Sequence, residues 1–272
     1  MKSFVPNAIQ GDFFPAGQGE PGMRVIVLDG ENALLSEMLE IPRLGELKLP
    51  PETPLLAVGD LDGARCCVCR AGKDFLSDFQ MCSGRKILAD ADENTREAFG
   101  RGREMLFWRE NHRFCGRCAT GLRVSPNDLA LVCPGCGARF YPQIAPAVIV
   151  AITRRGGEEI LLAHNRRFAD GVFSLIAGFV EAGESAEEAI RREIFEETSL
   201  QIKDIRYLAS QAWPFPHSLM LAFTAQYAEG EARPDGLELS ECRWYARGAL
   251  PAIPQKGSIA RAVIDAFEAG NL

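Results

Sequence analysis

Three carboxylates share one helical face in residues 178–200, which read GFVEAGESAEEAIRREIFEETSL. Glu193, Glu196 and Glu197 stand three and four positions apart, the offsets that bring side chains together on a helix. Ala189, Ile190, Ile194 and Phe195 give the same run an apolar side to turn toward a core. The segment must therefore bury one flank while crowding negative charge on another. Crowded carboxylates repel each other, so folding alone does not select them. A hard divalent cation turns the repulsion into ligation, and Mg²⁺ is commonly held by a few carboxylates plus a substrate's phosphates. The plain alternative is a solvated acidic face. Against it stand the Gly178–Gly183 loop that enters the helix and the fixed spacing of Gly178, Glu184, Arg192, Glu193, Ile194, Glu196 and Glu197.

The chain has 272 residues, a length that points to two domains with a small insert. Its hydrophobic fraction of 47% and charged fraction of 25% are those of a globular protein with a real core. A net charge of −7 argues against duplex DNA or an anionic membrane as the main partner. It does not exclude a small anionic substrate, because a bound metal reverses the sign locally. No apolar stretch approaches the ~20 residues that span a bilayer. The start, MKSFVPNAIQGDFF, lacks the charged and apolar regions of a signal peptide. A cytoplasmic protein is the expectation.

Nine cysteines in such a chain point to thiols and metal rather than disulfides. Four form a pattern: Cys115-x-x-Cys118, fourteen residues, then Cys133-x-x-Cys136. Each pair sits in turn-forming sequence, FCGRCATG and VCPGCGAR, so two thiolates of each turn can face one ion. Four thiolates satisfy tetrahedral Zn²⁺ and leave no open position, which favours a structural ion, one per chain. Cys66, Cys67, Cys69 and Cys82 are read as buried or free thiols, and Cys242 as a packing residue. His112, His164 and His217 are read as surface or packing residues rather than as bases.

Residues 1–110 alternate apolar segments such as MRVIVLDG and PLLAVGDLDG with Pro and Gly, which predicts short strands and turns. A helix is predicted from about Asp92 to Asn111, with Ala98, Met105, Leu106 and Trp108 inward. The segment 1–110 is thus a β-rich accessory domain, 111–141 a zinc ribbon and 142–272 a catalytic domain. In the last, AVIVAIT and EEILLAHN predict paired strands around Gly156-Gly157, and FSLIAGFV leads into the acidic helix. IRYLASQAWPF and LMLAFTAQYAEG predict further strands, and a final helix runs from about Ser258 to Ala269. Strands flanked by helices indicate an α+β layered domain.

The pattern Gly–five residues–Glu–seven residues–Arg-Glu-apolar-x-Glu-Glu resembles the Nudix box, the signature of hydrolases of nucleoside diphosphates linked to another group. The resemblance implies an α/β/α sandwich with a mixed sheet, and a loop–helix–loop that holds Mg²⁺ or Mn²⁺ against a diphosphate. Glu193, Glu196 and Glu197 match the family's metal-binding glutamates, and Glu184 and Arg192 an architectural pair. The family pattern ends in Gly before an apolar residue, whereas here Ser199 precedes Leu200. A glycine there suits a helix exit through positive φ, and serine adopts that conformation at a cost of about 1 kcal/mol.

Ser210–Ser218, SQAWPFPHS, is rich in rigid aromatic and proline units that suit a flat wall for a planar ring; a proline-kinked loop with Trp213 and Phe215 in the core is the alternative. It resembles the SQPWPFPxS motif of the NADH pyrophosphatase branch of the Nudix family, with Ala212 in place of a proline. The upstream ribbon and the connector Tyr141–Pro146, YPQIAP, fit the same branch. The resemblance implies hydrolysis of NAD(H) to NMN(H) and AMP, and removal of NAD caps from RNA 5′ ends. It implies ring walls at Phe179 and Trp213, and pocket contacts at Gln211, Ser218, Met220 and Ala260. It implies a homodimer with Tyr141 presented to the neighbouring subunit's site. Glu238 matches a late glutamate that reaches the metals, with Glu241 as its competitor. Two other readings stay open: hydrolysis of another nucleoside diphosphate derivative, such as ADP-ribose or a dinucleoside polyphosphate, and a non-catalytic RNA-binding regulator built on the ribbon. The acidic charge and intact glutamates count against the regulator.

Overall fold

The computed structural model describes residues 3–7, 11–72 and 79–272; Met1, Lys2 and residues 8–10, part of the segment read for a signal peptide, lie outside them. The chain forms two compact units, Met1–Gln143 with Pro214–His217, and Ile144–Trp213 with Ser218–Leu272.

The first unit carries the expected run of short strands. These are β1 (Phe4–Pro6), β2 (Phe14–Pro15), β3 (Arg24–Asp29), β4 (Asn32–Leu35), β5 (Pro54–Leu61), β6 (Ala64–Arg70) and β7 (Gln80–Ser83). They form one sheet in the order β1-β5-β6-β3-β4-β7, with β2 on β5. Strand β3 runs parallel to β6 at its centre. Val25, Ile26, Val27 and Leu28 are all buried, as befits a continuous β-branched run covered on both faces. Cys66, Cys67 and Cys69 in β6 and Cys82 in β7 are buried free thiols. Burial pushes the Cys67 and Cys69 thiols up to about 12, which leaves them inert packing groups.

A short helix α1 (Gly84–Asp90) precedes α2 (Glu93–Asn111). Asp92 caps α2 by accepting from the Asn94 and Thr95 amides. Ala98, Phe99, Met105, Leu106 and Trp108 are buried on its inner side. Gly102 lets the helix approach the sheet, because a Cβ there would stand 2.9 Å from Ile26 Cδ1.

The ribbon adds β8 (Arg123–Val124), β9 (Leu131–Val132) and β10 (Arg139–Phe140), an antiparallel three-stranded sheet. Its two CxxC turns close in the same way. The Cys115 amide donates to Thr120 O, and the Ala119 amide to Cys115 O; the Cys133 and Gly137 amides donate to Ala138 O and Cys133 O. Each turn passes through positive φ, at Ala119 (+56°) and Gly137 (+74°). The four Sγ atoms lie within 4.8 Å of one another, with Cys118–Cys133 at 3.4 Å and Cys115–Cys136 at 3.6 Å. A zinc ion with four sulfurs at about 2.3 Å has S···S edges of about 3.8 Å, so the quartet fits a structural zinc. Purified protein should carry one zinc per chain by elemental analysis. Cys133→Ser should lose that zinc and unfold the ribbon at lower temperature; a variant that keeps full zinc and an unchanged melting curve would refute the assignment.

The second unit comprises β11 (Ala145–Arg154), β12 (Glu159–Asn165), β13 (Ile176–Phe179), α3 (Ala186–Thr198), β14 (Gln201–Trp213), β15 (Ser218–Glu229), β16 (Leu239–Ala246) and α4 (Ile259–Glu268). Its sheet has the order β14-β15-β11-β12-β16, with β13 on β11. Strands β11 and β15 are parallel and the other pairs antiparallel, so the sheet is mixed as expected. Even-numbered positions of β11 (Val148, Val150, Ile152) pack with Ile190 and Ile194 of α3. Odd-numbered ones (Ile149, Ala151) pack with Ile259, Val263, Ile264 and Phe267 of α4. The period-2 alternation of one strand thereby places a helix on each face. Phe195 departs from expectation: it is 59% exposed. The buried stripe of α3 is Ala189, Ile190, Ile194, Glu197 and Thr198, and Phe195 lies about 100° around the helix from Ile194.

Candidate active site

Helix α3 begins with a capping box, in which Ser185 Oγ accepts from the Glu188 amide and the Ser185 amide donates to Glu188 Oε2. The loop before it is tied by Arg192. Its Nε and Nη2 donate to Glu184 Oε1 and Oε2 at 2.6 and 2.9 Å, a fork on a fork. Nη2 also reaches Phe179 O, and Nη1 reaches Glu193 Oε1 at 2.9 Å and Glu196 Oε2 at 3.3 Å. The guanidinium holds the Glu184 carboxyl down at about 2. One side chain thus joins the loop, the end of β13 and the acidic face of α3. Gly178 is required by this approach: a Cβ there would sit 1.9 Å from Glu193 Cδ and Oε1.

Glu197 is 8% exposed. Burial, followed by the charges of Glu193, Glu238, Asp235 and Glu196, pushes its carboxyl up to about 8. Glu193 is also raised, first by burial and then by Glu196 and Glu238, although Arg192 opposes the shift. The expected trio and Glu238 therefore feel one another across a shared space. Among the described residues, however, only the cysteine quartet brings its ligand atoms within 4.8 Å. The donor set is all carboxylate, which fits Mg²⁺ or Mn²⁺, hard cations that take oxygen.

Asp235, which the sequence reading passed over, positions Glu238. The Asp235 amide donates to Glu197 O, and the Arg233 amide to Thr198 O, so this loop caps the end of α3. Asp235 in turn accepts from the Leu237, Glu238 and Leu239 amides. Burial opposes its ionisation, but the three amides outweigh burial and hold its carboxyl below the ordinary range. The signal was Pro234-Asp235-Gly236, a turn tripeptide in which Asp bonds its own backbone further on. The competitor Glu241 is instead paired with Arg243 at 2.6 Å, on β16 opposite His164.

The other expected residues fall on the opposite face of the sheet. Register sets Phe179 beside Ala147, Ala147 beside Met220, and Met220 beside Gln211. This row crosses four strands on the face that α4 covers. Trp213 and Ser218 form the next pair of the β14–β15 ladder on that face. Phe179 is 58% exposed, whereas Ser218 and Ala260 are buried and Trp213 and Met220 half-buried. The Gln211 amide is spent internally: it donates to Gly257 O and accepts from the Ile259 amide, bracing the start of α4 beside Ala260. Tyr141 belongs to the first unit; its ring is 54% exposed while its hydroxyl is held by Arg139 and Asp128.

Ser199 ends α3 at φ 60°, ψ 19°, the left-handed conformation a glycine takes without strain. Its amide still closes on Phe195 O, so the exit geometry is kept. Ser199→Gly should stabilise the protein by about 0.5 kcal/mol, the relief of left-handed strain less the added freedom of the unfolded glycine; denaturant melts that show a loss would refute this. Glu197 gives a pH test on metal-free protein. Between the ordinary glutamate value and about 8, the folded state keeps a proton that the unfolded chain has released. Stability from this group therefore falls as pH rises through that window, and the loss is complete above about 8. Glu197→Gln removes the titration, so the variant should gain on the native protein from pH 5 to pH 8 by on the order of 3 kcal/mol in urea melts. A pH-independent difference would overturn the environment assigned to Glu197.

Comparison with known proteins bears on both units. Residues 143–267 match the NUDIX domain family, and residues 110–141 match the NADH pyrophosphatase zinc ribbon domain. A Pectobacterium carotovorum protein named NAD-capped RNA hydrolase NudC is 46% identical over 188 residues, 69% of this chain and 71% of that protein. The Edwardsiella ictaluri protein of the same name is 45% identical, over 68% of this chain and 71% of its own. A NUDIX hydrolase crystal structure from Nitrosomonas europaea aligns with a TM-score of 0.44 at 24% identity, over 51% of this chain and 80% of that one. With the box arranged on α3, the ribbon in place and relatives at this level over most of their length, the chain belongs to the Nudix hydrolases, in the zinc-ribbon branch of the NADH pyrophosphatases and NudC proteins.

Proposed function

We propose that this protein hydrolyses the diphosphate bond of NAD(H), giving NMN(H) and AMP, and cuts the same bond at NAD-capped RNA 5′ ends. The observation that carries the reading is Glu197, buried among Glu193, Glu196, Glu238 and Asp235 in a family whose box supplies these carboxylates. In this reading Glu193, Glu196, Glu197 and Glu238 hold Mg²⁺ or Mn²⁺. Such an ion, when bound, neutralises the diphosphate and acidifies water. The residues themselves do the rest. Arg192 and Glu184 keep the loop and α3 in register. Phe179 and Trp213 present flat faces to the nucleotide rings, while Ser218, Met220 and Ala260 form the pocket that Gln211 braces. Glu197 or Glu238 accepts the proton of the attacking water, and in-line attack breaks the P–O–P bond.

The reading includes a homodimer in which Tyr141 serves the neighbouring site. An exposed ring whose hydroxyl is fixed by Asp128 and Arg139 supports it, because such a ring is oriented before any partner arrives. It also divides the work among segments 1–110, 111–141 and 142–272. A cytoplasmic setting agrees with the buried thiols of Cys66, Cys67, Cys69, Cys82 and Cys242, which a reducing compartment maintains. No helix of the described residues is long and apolar enough to cross a membrane.

The decisive experiment is product analysis with NADH and with NAD-capped RNA, with and without added Mg²⁺ or Mn²⁺, beside ADP-ribose. NMNH and AMP should appear only with the ion. Glu197→Gln should keep the fold and lose on the order of 10²-fold or more in kcat. Native turnover in that variant, or a clear preference for ADP-ribose, would refute the proposal.

A further inference from the structure

The hairpin that carries Trp213 and Ser218 has its tip outside the unit to which its strands belong. Strand β14 ends at Trp213 and β15 begins at Ser218, which face each other across the ladder. The four residues between them, Pro214–His217, belong to the first unit. They lie along one stripe of α2, at positions 99, 103 and 107, spaced four apart and therefore on one helical face. Phe99 meets the Phe215 ring at 6.5 Å between centroids. Arg103 donates from Nε to Pro214 O at 2.7 Å, and its guanidinium lies 4.9 Å from the Phe215 centroid. Phe107 meets the His217 ring at 5.4 Å. Gly84 makes the seat possible, because a Cβ there would stand 2.7 Å from two Phe215 ring atoms and 2.5 Å from Glu31 O.

We infer that the Phe99–Arg103–Phe107 stripe of α2 is a positioning element for the substrate, with Arg103 fixing the Pro214 carbonyl and thereby the setting of Trp213. Arg103 is suited to this because it is anchored twice. Its Nη1 donates to Gly30 O, at the β3–β4 turn, while Nε holds Pro214 O. A planar guanidinium can bond two carbonyls and stack on a ring at once, which a lysine ammonium cannot. Pro214 follows Trp213 directly in the chain, so the bond on its carbonyl fixes the backbone next to the ring. The inference rests on Trp213 being a ring wall.

The test uses the protein as purified, labelled with 5-fluorotryptophan. The three tryptophans, Trp108, Trp213 and Trp244, give three fluorine resonances, and Trp213→Phe assigns one of them. In Arg103→Ala the Trp213 resonance should shift or broaden while that of Trp244 stays. KM for NADH should rise about tenfold with kcat changed less than about threefold, as expected for lost binding alignment. Arg103→Lys, the milder variant, should fall between and covers the case in which alanine impairs folding. An unmoved Trp213 resonance overturns the inference, as does a moved resonance with native KM. Trp213→Ala separates the two levels: if it leaves KM for NADH unchanged, the ring-wall reading itself has failed. A lower melting temperature with no change in the Trp213 resonance or KM would show a purely structural role and also sink it.

Discussion

Arg192 holds together a site that would otherwise push itself apart. Glu184, Glu193, Glu196, Glu197, Asp235 and Glu238 crowd α3 and the loops beside it, and one guanidinium hydrogen-bonds three of them. Its fork is committed to Glu184, and its remaining N–H groups to Phe179 O, Glu193 and Glu196. Each bond ties a different element: the box loop, the end of β13, and two successive turns of α3. Removing the arginine would therefore release negative charge and geometry together. A lysine could offer a point charge but not the planar set of donors. Glu197 lies beyond the reach of Arg192's hydrogen bonds, and it is the carboxyl whose ionisation is most disfavoured.

The sheet divides the site into two chemistries. Gly178 and Val148 look toward α3, and Phe179 and Ala147, one residue along, look toward α4. One step along β13 therefore changes the environment from carboxylate to ring wall. The short strand IAGF does this with one glycine that admits Glu193 and one phenylalanine that stays exposed.

Much of this was legible in the residues. The box spacing located α3 and its acidic face, the two CxxC turns located the ribbon, and β-branched runs located β3 and β11. Ser199 was legible as an αL position, because the exit of α3 demands that backbone whichever residue stands there. Other features were not. Phe195 was read inward because an apolar residue beside Ile194 looks like core, but adjacent residues on a helix point about 100° apart. Asp235 was missed because Pro234-Asp235-Gly236 announces a turn but not that this turn closes on α3 and sets Glu238. Gln211 was legible as a polar residue near the pocket, but not as a brace for α4, since its partners Gly257 and Ile259 lie almost fifty residues on. The seat of Pro214–His217 on α2 joins positions more than a hundred residues apart, which no local pattern of residues announces.

The composition of the acidic site also limits how a diphosphate can be recognised there. Carboxylates accept hydrogen bonds and donate none when ionised. Phosphate oxygens have the same character, so the two sets repel unless something positive stands between them. Arg192 is already committed to protein oxygens, and moving it to a phosphate would break the fork on Glu184 that frames the loop. A divalent cation accepts oxygen from both sides. Burial and the neighbouring carboxylates raise Glu197, so a positive charge beside it favours the ionised form. The overall negative charge of the chain is then no obstacle to an anionic substrate, because the local field at the site is set by the ion and not by the sum over 272 residues.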